Sequence, residues 1–545
     1  MKRMLVVALT VFAGLSILLA ESPQKWTRTL GGRSTVATRI LDINRLWLDI
    51  TDRGYLNFDS SWWSAGSRWW TSAAHGYGVV YDQGPWIIGK FNGAPAAGTT
   101  LWRSSYSPGP VISGKPALDV QPGDSLRYHP YKISRGSAQD SDAVNWPVDL
   151  GAPVDGQGKP RILGDQMIWS VFNAADTNLF ADGWGPDQTR RRKEQFPRLP
   201  VEIRHAVYAQ KAESLADTSL LANTVFQEWT FINRGSAPVE SCYVGLWADI
   251  DIDAGMWNFT AVDTTLQLGY LWIDTSRYHQ PFAVGYSLLY GPAVPSPGHT
   301  ALFQGEARPG YRNLPLNSFL GIAQNWGRDS LFGSAPYRLK PAWNVARGFD
   351  KVGNVIIDSV TGQPTRFPFS GDPVTGSGWI DNRNNPGEAG ILMFAGPFTL
   401  AAGDSQWMMA ALVTADAGEP VASITLLRDH AARLRSLSYQ EIAHPQPLAV
   451  DMNQPTLPGG ARLFQNYPNP FNPSTTMKFE LPKTSMVRLS VCDILGREVS
   501  VLVNERKNAG SYEVKFDASG LASGVYFYRL QAGAFVQTRR LLFLR

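Results

Sequence analysis

The chain has 545 residues, which is too long for one compact domain if domains run to about 100–200 residues. Its 50 Lys and Arg residues against 46 Asp and Glu give a formal net charge of +4, and charged residues make up only 18% of the chain. This balance excludes the basic surface of a nucleic-acid binder, and the 44% of hydrophobic residues exclude wholesale disorder. We therefore expect a globular protein of several domains with no nucleic-acid partner.

The first 20 residues have the pattern of a secretory signal peptide. Lys2 and Arg3 precede an apolar run from Leu5 to Leu19, and the small residue Ala20 ends it. The run is shorter than the roughly 20 apolar residues that a transmembrane helix needs, and no later segment approaches that length. An uncleaved anchor is the alternative. The pattern predicts an exported chain whose mature form, after removal of residues 1–20, has no transmembrane segment.

The chain has only two cysteines, although exported proteins often carry disulfides. Cys242 and Cys492 are far apart in the sequence, in segments that we assign to different domains. Cys242 alternates with Val244 and Leu246, which places its thiol on the apolar face of a strand. We predict a buried thiol at Cys242, no disulfide framework, and stability that depends on the size of the core.

Residues 26–445 have the pattern of mainly β structure. Short runs of alternating apolar and polar residues are joined by loops rich in Gly, Pro, Asp and Asn, which is typical of β-sandwiches. A basic run at Thr189–Lys193 suggests a division into an N-terminal β-rich lobe, residues 26–190, and a second β-rich lobe, residues 195–445. The predicted strands are Thr35–Ile43, Gly78–Tyr81, Trp86–Phe91, Val201–Ala209, Thr224–Asn233, Tyr243–Ile252, Leu266–Ile273 and Trp407–Thr414.

One segment near the end of this region departs from the β pattern. Over Ser423–Tyr439 the apolar residues recur at the spacing of one helical face, and arginines lie off that face. The spacing predicts a single amphipathic helix near residues 423–439. The residues on its apolar face are Ile424, Leu427, Ala431, Leu434 and Leu437.

The most distinctive polar feature is a row of aspartates at the end of a predicted strand. Asp249, Asp251 and Asp253 alternate along it, so their carboxylates point to one face, about 7 Å apart. Such a row repels itself unless water or a cation neutralises it. Ca²⁺ prefers oxygen ligands, and Asn258 and Asp263 follow as further donors. We predict a calcium site formed by Asp249, Asp251, Asp253 and Asp263, with a solvated acidic strand end as the alternative.

The 19 tryptophans are the least expected feature of the composition. Exposed indole rings are suited to stacking against sugars, whereas buried rings fill a β core that has no disulfides. Paired carboxylates beside such rings would serve glycoside hydrolysis, but no motif ties a second acid to Asp249 or Asp251. His205, which alternates with apolar residues, is expected to be a packed structural histidine. The tryptophans in question are Trp62, Trp63, Trp69, Trp70, Trp86, Trp102, Trp146, Trp169, Trp184 and Trp257.

The C-terminal segment, residues 462–545, follows a linker rich in Pro and Gly at residues 446–461. Alternating apolar residues mark short strands, and turn sequences that contain Gly separate them. About six or seven strands in a segment of this length predict a small Ig-like β-sandwich.

This segment also resembles a known family. The run Phe464–Thr475, which contains Asn-Tyr-Pro-Asn-Pro-Phe-Asn-Pro, is similar to the opening of the type IX secretion C-terminal sorting domain. The chain departs from the family at Cys492, where an aromatic residue is usual. The resemblance implies that residues 462–545 are an Ig-like domain that engages the outer-membrane secretion machinery, with a final location in the extracellular space or on the outer cell surface. The other matching segments are Asp493–Val499, Ala509–Tyr512, Ser519–Tyr526 and Arg539–Leu542.

The central region resembles uncharacterised large secreted proteins that carry the same sorting domain. Because that group has no assigned activity, the resemblance supports architecture and location alone. The matching segments are Asp142–Val148, Gly151–Asp155, Leu163–Met167, Asp263–Tyr270, Gly371–Trp379 and Gly396–Leu400.

These features together predict an exported cell-surface or secreted protein whose central region is a structural or binding module, with polysaccharide as the expected ligand class. The alternative is a secreted hydrolase that acts on polysaccharide. No catalytic motif occurs in the sequence, which favours a non-enzyme. A cleft with two carboxylates about 5–10 Å apart, walled by tryptophan, would favour the hydrolase. An aromatic surface without convergent acids would favour binding.

Overall fold

The computed structural model describes residues 36–56, 67–72, 75–100, 106–136, 140–176, 197, 199–215, 217–250, 252, 258–273, 281–323, 339–382, 389–444, 461–466, 469, 471–481, 483–508, 510–533 and 535–544. The chain divides into two compact units, residues 1–445 and 446–545, and the boundary falls at the start of the predicted linker. The predicted signal peptide and the basic run Thr189–Lys193 lie outside the described residues, as does the linker apart from Ala461. Both units are mainly β.

The described part of the first unit contains 24 strands. They are β1 (Thr38–Leu41), β2 (Leu46–Thr51), β3 (Ser67–Ser72), β4 (His75–Tyr77), β5 (Asp82–Phe91), β6 (Ala94–Gly98), β7 (Ser107–Pro108), β8 (Val111–Ile112), β9 (Lys115–Pro116), β10 (Tyr131–Ser134), β11 (Gln166–Asn173), β12 (Val201–Ala209), β13 (Thr224–Asn233), β14 (Val239–Ile250), β15 (Asn258–Asp263), β16 (Leu268–Ile273), β17 (Phe282–Tyr290), β18 (Ala293–Phe303), β19 (Glu306–Asn313), β20 (Leu316–Ala323), β21 (Ile356–Ile357), β22 (Pro364–Thr365), β23 (Ala389–Leu400) and β24 (Ser405–Asp416).

Two large antiparallel sheets form the body of this unit. One has the order β10-β11-β12-β13-β24-β17-β16-β15, with β7 paired to β11, and the other has the order β20-β23-β14-β5-β6. A smaller sheet has the order β1-β2-β3-β4, and three two-stranded hairpins are formed by β8-β9, β18-β19 and β21-β22. The alternation along each strand sends one set of side chains into the space between the large sheets, which makes the unit a β-sandwich.

The main apolar core lies between the two large sheets and continues under the small sheet. A second apolar cluster covers the other face of the nine-stranded sheet, beneath the helices α4 (Pro420–Ser436) and α5 (Tyr439–Ala443). A third covers the other face of the five-stranded sheet, beneath the helix α3 (Leu339–Ala346). Because both faces of each large sheet are covered, the central strands are buried on both sides, as in β11, β13 and β24. The helices are α1 (Ala117–Val120), α2 (Ser141–Val144), α3 (Leu339–Ala346), α4 (Pro420–Ser436) and α5 (Tyr439–Ala443).

Strands from both predicted lobes share the two large sheets. β11, which precedes residue 190, pairs along its whole length with β12, which follows residue 195, and β5 pairs with β14. The expected division near residue 190 therefore corresponds neither to separate sheets nor to separate compact units. Local composition suggested a boundary, but the pairing of strands distant in sequence determines where a compact unit ends.

The predicted amphipathic helix is present as α4, which begins three residues earlier and ends at Ser436. Its apolar face packs on the nine-stranded sheet, with Ile424, Leu427 and Leu434 buried. The predicted segment ran on to Tyr439, but that residue begins the separate helix α5. Ser438 caps α5: its hydroxyl accepts from the Glu441 backbone N–H, and the Glu441 carboxylate accepts from the Ser438 N–H.

The predicted strands Val201–Ala209 and Thr224–Asn233 match β12 and β13 residue for residue. The prediction of a strand at Gly78–Tyr81 is wrong, because this segment is irregular. Val79 and Val80 are buried, but the backbone hydrogen bonds of this segment do not form a strand ladder. The Val80 carbonyl accepts from the Ser67 backbone N–H and hydroxyl, and the Tyr81 N–H donates to the Asp249 carbonyl.

The described part of the second unit is a small sandwich of two antiparallel sheets with one apolar core between them, which fits an Ig-like fold. The sheets have the orders β25-β26-β29 and β28-β27-β30-β31. Their strands are β25 (Arg462–Leu463), β26 (Ser474–Leu481), β27 (Ser485–Cys492), β28 (Glu498–Lys507), β29 (Gly510–Asp517), β30 (Gly524–Ala532) and β31 (Phe535–Phe543).

Candidate functional site

Two acidic residues are brought together at one end of the five-stranded sheet. Asp249 on β14 lies directly opposite Asp82 on β5, so both side chains lie on the same face of the sheet. Asp249 is 3% exposed and Asp82 is fully buried. One carboxylate oxygen of Asp82, Oδ1, accepts from the backbone N–H groups of Leu56 (3.0 Å) and Gln83 (2.7 Å). Burial raises the pKa of Asp82 well above its usual range, and the nearby Asp249 charge raises it further.

Two carboxyl groups this close in a buried site do not both ionise readily, so such a pair tends to hold a proton. Trp86 and Trp247 line the same face of the sheet. Sequence reasoning identified Asp249 but missed Asp82, because Asp82 precedes it by more than 160 positions and only the register of β5 and β14 joins them. No motif around Asp82 signals the pairing.

Asp263, the last residue of the predicted calcium site, lies on β15 of the nine-stranded sheet, whereas Asp249 lies on β14 of the five-stranded sheet. Its Oδ1 atom accepts from the backbone N–H groups of Thr265 and Leu266, both at 3.0 Å, and its Oδ2 atom is 3.6 Å from Nε of Arg428. Arg428 on α4 also donates to Asp372 at 2.6 Å. A guanidinium group therefore supplies the positive charge beside Asp263.

The remaining predicted ligands are divided between described and undescribed parts of the chain. Asp251 and Asp253 lie outside the described residues. Asp263 lies at the opposite end of β15 from Asn258, about 17 Å along the strand. Within the described residues no three His, Cys, Asp or Glu side chains are grouped so that they could hold a metal ion. Calcium binding by Asp249, Asp251, Asp253 and Asp263 stays a prediction.

Asn258 is a further polar residue at the start of β15. It is fully buried, and neither its amide nitrogen nor its amide oxygen has a hydrogen-bond partner among the described residues. Buried amides are seldom left in this state, because each unmet hydrogen bond costs about 1–3 kcal/mol. The sequence suggests Asn258 as an oxygen donor to Ca²⁺ because it follows the aspartate row, but no sequence pattern predicts that Asn258 is buried.

A polar network crosses the main core between the two large sheets. The side-chain amides of Gln83 and Gln227 donate to each other, at 2.8 and 3.0 Å. Nε2 of His205 lies 3.3 Å from Oε1 of Gln227, the imidazole stacks on Trp229, and the Tyr286 hydroxyl donates to Gln83. Burial lowers the pKa of His205 to about 3. The prediction of a packed structural histidine is confirmed.

Glu228 on β13 is a buried acid with hydrogen-bond partners on both carboxylate oxygens. Its carboxylate accepts from the hydroxyls of Tyr208 (2.8 Å) and Tyr439 (3.0 Å) and from the indole N–H of Trp407 (3.1 Å). Burial raises the pKa of Glu228. Because Tyr439 belongs to α5, this carboxylate fastens the last helix of the unit to the sheet, which is a structural role.

Most of the described tryptophans belong to the core. Trp62, Trp63, Trp102, Trp184 and Trp257 lie outside the described residues. The partly exposed ones are Trp47, Trp70, Trp272 and Trp379. The buried ones are Trp69, Trp86, Trp146, Trp169, Trp229, Trp247, Trp343 and Trp407.

Trp47 and Trp70 lie side by side on neighbouring strands of the small sheet. Their ring centroids are 5.2 Å apart and the ring planes make an angle of 58°. Arg68 is directly opposite Trp47 in the register of β2 and β3, and its guanidinium carbon is 5.6 Å from the centroid of the Trp70 ring. These three residues, which we call the aromatic face, combine apolar ring surface with an exposed cation.

The two cysteines are free, and Cys242 is fully buried, as predicted. Burial raises the pKa of its thiol, so it is unreactive as a thiolate. None of the helices in the described part of the chain combines the length and apolarity that crossing a membrane requires.

The motif that opens the second unit, within Phe464–Thr475, is hydrogen-bonded to the last strand of that unit, β31. The Asn469 side-chain oxygen accepts from the Leu542 backbone N–H at 2.8 Å, and the Phe471 N–H donates to the Leu542 carbonyl at 3.0 Å. The Phe471 ring is 2% exposed in the core. The Asn466 side-chain amide donates to the Thr475 hydroxyl at 3.0 Å. These contacts give Asn466, Asn469 and Phe471 of this motif structural roles.

The central turn of the second unit is built by Asp493. Its Oδ1 atom accepts from the backbone N–H groups of Leu495 and Arg497, and its Oδ2 atom accepts from Nε of Arg497 at 2.7 Å. Gly496 has φ of 78°, in the left-handed region that favours glycine. The Asp-x-x-Gly-Arg pattern is therefore a turn requirement.

Comparison with solved structures finds distant likenesses, among them the following three. A polysaccharide lyase shares 9% identity with a TM-score of 0.17; the match covers 67% of this chain and 36% of the lyase, so this chain spans about a third of that protein. The adhesin domain of Epf from Streptococcus pyogenes shares 4% identity with a TM-score of 0.13, and the match covers 60% of this chain and 81% of that domain. PorZ, a surface component of the type IX secretion system of Porphyromonas gingivalis, shares 11% identity with a TM-score of 0.12, and the match covers 95% of this chain and 59% of PorZ. Scores this low carry no argument.

Comparison with curated protein sequences finds no match. Comparison with protein families finds one for the second unit: residues 465–543 match the family described as the secretion system C-terminal sorting domain. Such a domain implies handling by the type IX secretion machinery and export to the cell surface or the extracellular space. Residues 465–543 are therefore a type IX secretion C-terminal sorting domain.

Proposed function

We propose that the first unit is a polysaccharide-binding module that the sorting domain delivers to the outside of the cell. In this proposal, residues 1–20 act as a signal peptide for passage of the inner membrane, and the sorting domain then directs passage of the outer membrane. The observation that supports binding over catalysis is the burial of the acid pair. Asp82 is fully buried and Asp249 is 3% exposed, whereas Trp47, Arg68 and Trp70 reach the surface.

Deletion of residues 462–545 tests the delivery part of the proposal. We expect loss of surface display, measured by labelling of intact cells, with retention of the chain inside the cell envelope. All 19 tryptophans precede residue 446, so tryptophan fluorescence of the truncated chain checks that the first unit is still folded. Unchanged surface display of a folded, truncated chain would contradict the proposal.

A combined glycan-array and hydrolysis screen of the purified chain tests the binding part. We expect retention of at least one polysaccharide class without release of shorter sugars. A chain that binds no glycan on the array would refute the binding function. Release of reducing ends would favour the second candidate function instead.

A secreted polysaccharide hydrolase is that second candidate, and the register of β5 and β14 favours it. Directly opposite residues have Cβ atoms about 4.5–5.5 Å apart, close to the carboxyl separation of about 5–5.5 Å in retaining glycosidases. If the pair is catalytic, Asp82→Asn and Asp249→Asn each abolish any hydrolysis found in the screen. Hydrolysis that persists in both variants would exclude this pair.

A further inference from the structure

The aromatic face has a composition that the fold itself does not require. On β2 and β3 the residues that alternate with it, Leu46, Leu48 and Trp69, are buried and face the core. Trp47 and Trp70 therefore present their rings on the other side of the small sheet, where both are partly exposed. Exposed paired indole rings are unusual unless a ligand or partner covers them, because they leave apolar surface in water.

The geometry of the face is held by bonds of its own. The indole N–H of Trp47 donates to the Asn44 carbonyl at 2.9 Å, which fixes the ring. The backbone of Trp70 is fixed from both sides by Arg45, whose carbonyl accepts from the Trp70 N–H and whose Nε donates to the Trp70 carbonyl, each at 2.8 Å. A ligand that stacks on Trp47 would therefore lose little free energy to ordering its ring, and Trp70 is held at its backbone.

Arg68 supplies the charge of the face. It is exposed, and within the described part of the chain its guanidinium group has no hydrogen bond or ion pair; its contact there is with the Trp70 ring. A guanidinium group stacked over a ring keeps its edge N–H donors available, and their planar arrangement matches a carboxylate. Asp49 lies two residues beyond Trp47 on the same face of β2, so an anion is favoured on the Arg68 side and disfavoured on the other.

We propose that the aromatic face of Trp47, Arg68 and Trp70 binds an anionic polysaccharide whose uronic-acid carboxylate pairs with Arg68. The apolar C–H face of a pyranose ring stacks on an indole, and the 58° angle between the two rings follows a twisted chain better than a flat one. Trp and Arg are also the residues that contribute most per side chain at binding surfaces. This inference rests on the proposed polysaccharide-binding function and names its site and ligand class.

Calorimetric titration of the full chain with a polygalacturonate oligomer and with a neutral cello-oligosaccharide of equal length tests the site. We expect tighter binding of the polygalacturonate, weakened by salt. Arg68→Gln should reduce its affinity at least tenfold and leave that of the neutral chain unchanged, while Trp70→Ala should weaken both at least tenfold. Arg312→Gln, at an exposed arginine of the β18-β19 hairpin, and Trp272→Ala are the matched controls, and both should bind as the unchanged chain does.

Because Trp70→Ala could alter folding, Trp47→Phe serves as a milder variant that keeps an aromatic ring, and tryptophan fluorescence checks both. Variants at Arg68 and Trp70 that retain full polygalacturonate affinity would overturn the site, while glycan binding by the unchanged chain would leave the proposed function intact. Equal loss for both sugars in Arg68→Gln would overturn the pairing with a carboxylate. A chain that binds neither oligomer, but binds another polysaccharide on the array, overturns the ligand class alone.

Discussion

Asp52 offers the most direct test of the electrostatics of the first unit. It follows β2 and is 4% exposed, with its Oδ2 atom 3.3 Å from the Ala37 backbone nitrogen and its Oδ1 atom 3.7 Å from Nε of Arg53. Burial raises the pKa of Asp52 to about 6, and these two contacts only partly oppose it. The substitution Asp52→Asn removes the titrating group and nearly preserves its shape.

The sign follows from proton linkage. The pKa of Asp52 is higher in the folded chain than its value of 3.8 when unfolded, so the folded state holds this proton more tightly. Its stabilisation is fully present below about pH 3.8 and is lost as the pH rises through about 6. The difference of about 2 units is worth about 3 kcal/mol in total, of which about 2 kcal/mol falls between pH 4.5 and pH 8.

The assay is urea unfolding followed by tryptophan fluorescence, which reports on the first unit alone because the sorting domain has no tryptophan. We expect the free energy of unfolding of the unchanged chain, relative to Asp52→Asn, to fall by about 2 kcal/mol between pH 4.5 and pH 8. The difference between the two proteins is the relevant quantity because other groups titrate too. Asp142 is an example: burial raises its pKa, but its contacts with His129 and Arg39 lower it overall, and a lowered carboxyl pKa gives a slope of opposite sign at low pH.

Asp119→Asn, at an exposed carboxylate of α1, is the matched control and should run parallel to the unchanged chain at every pH. Parallel curves for Asp52→Asn as well would refute the reasoning, because they would mean that burial of Asp52 does not perturb its pKa.

Three further predictions concern single sites. Asn258→Leu should raise the free energy of unfolding by about 1–2 kcal/mol in urea titrations, because it removes a buried amide without partners among the described residues. A lower free energy of unfolding would show that this amide is hydrogen-bonded in solution. Tyr439→Phe should lower the free energy of unfolding by about 1–1.5 kcal/mol, because it removes a hydrogen-bond donor to Glu228. Tyr311→Phe, at an exposed site, should leave the free energy of unfolding unchanged. Equal effects of the two substitutions would contradict the structural role of Glu228. If the aspartate row binds calcium, a chelator should lower the melting temperature in scanning calorimetry, and an unchanged melting temperature would refute the site.

Local sequence patterns were sufficient wherever one strand, helix or turn carries its own signal. The alternation of Val201–Ala209 and Thr224–Asn233 places both strands, because side chains on a strand alternate whatever it pairs with. The helical spacing of Ile424, Leu427 and Leu434 finds α4 for the same kind of reason. The sorting domain is recognised because its turns and its opening motif require particular residues, as Gly496 does.

What the sequence by itself determined is therefore the C-terminal sorting domain, the β class, individual strands such as β12 and β13, and the buried character of Cys242 and His205. Only the tertiary structure decided which distant residues meet. It set Asp82 opposite Asp249, joined the two expected lobes through shared sheets, and placed an arginine from α4 beside Asp263. The physical reason is that strand register and the packing of a helix on a sheet depend on the whole core, which no local window of sequence contains.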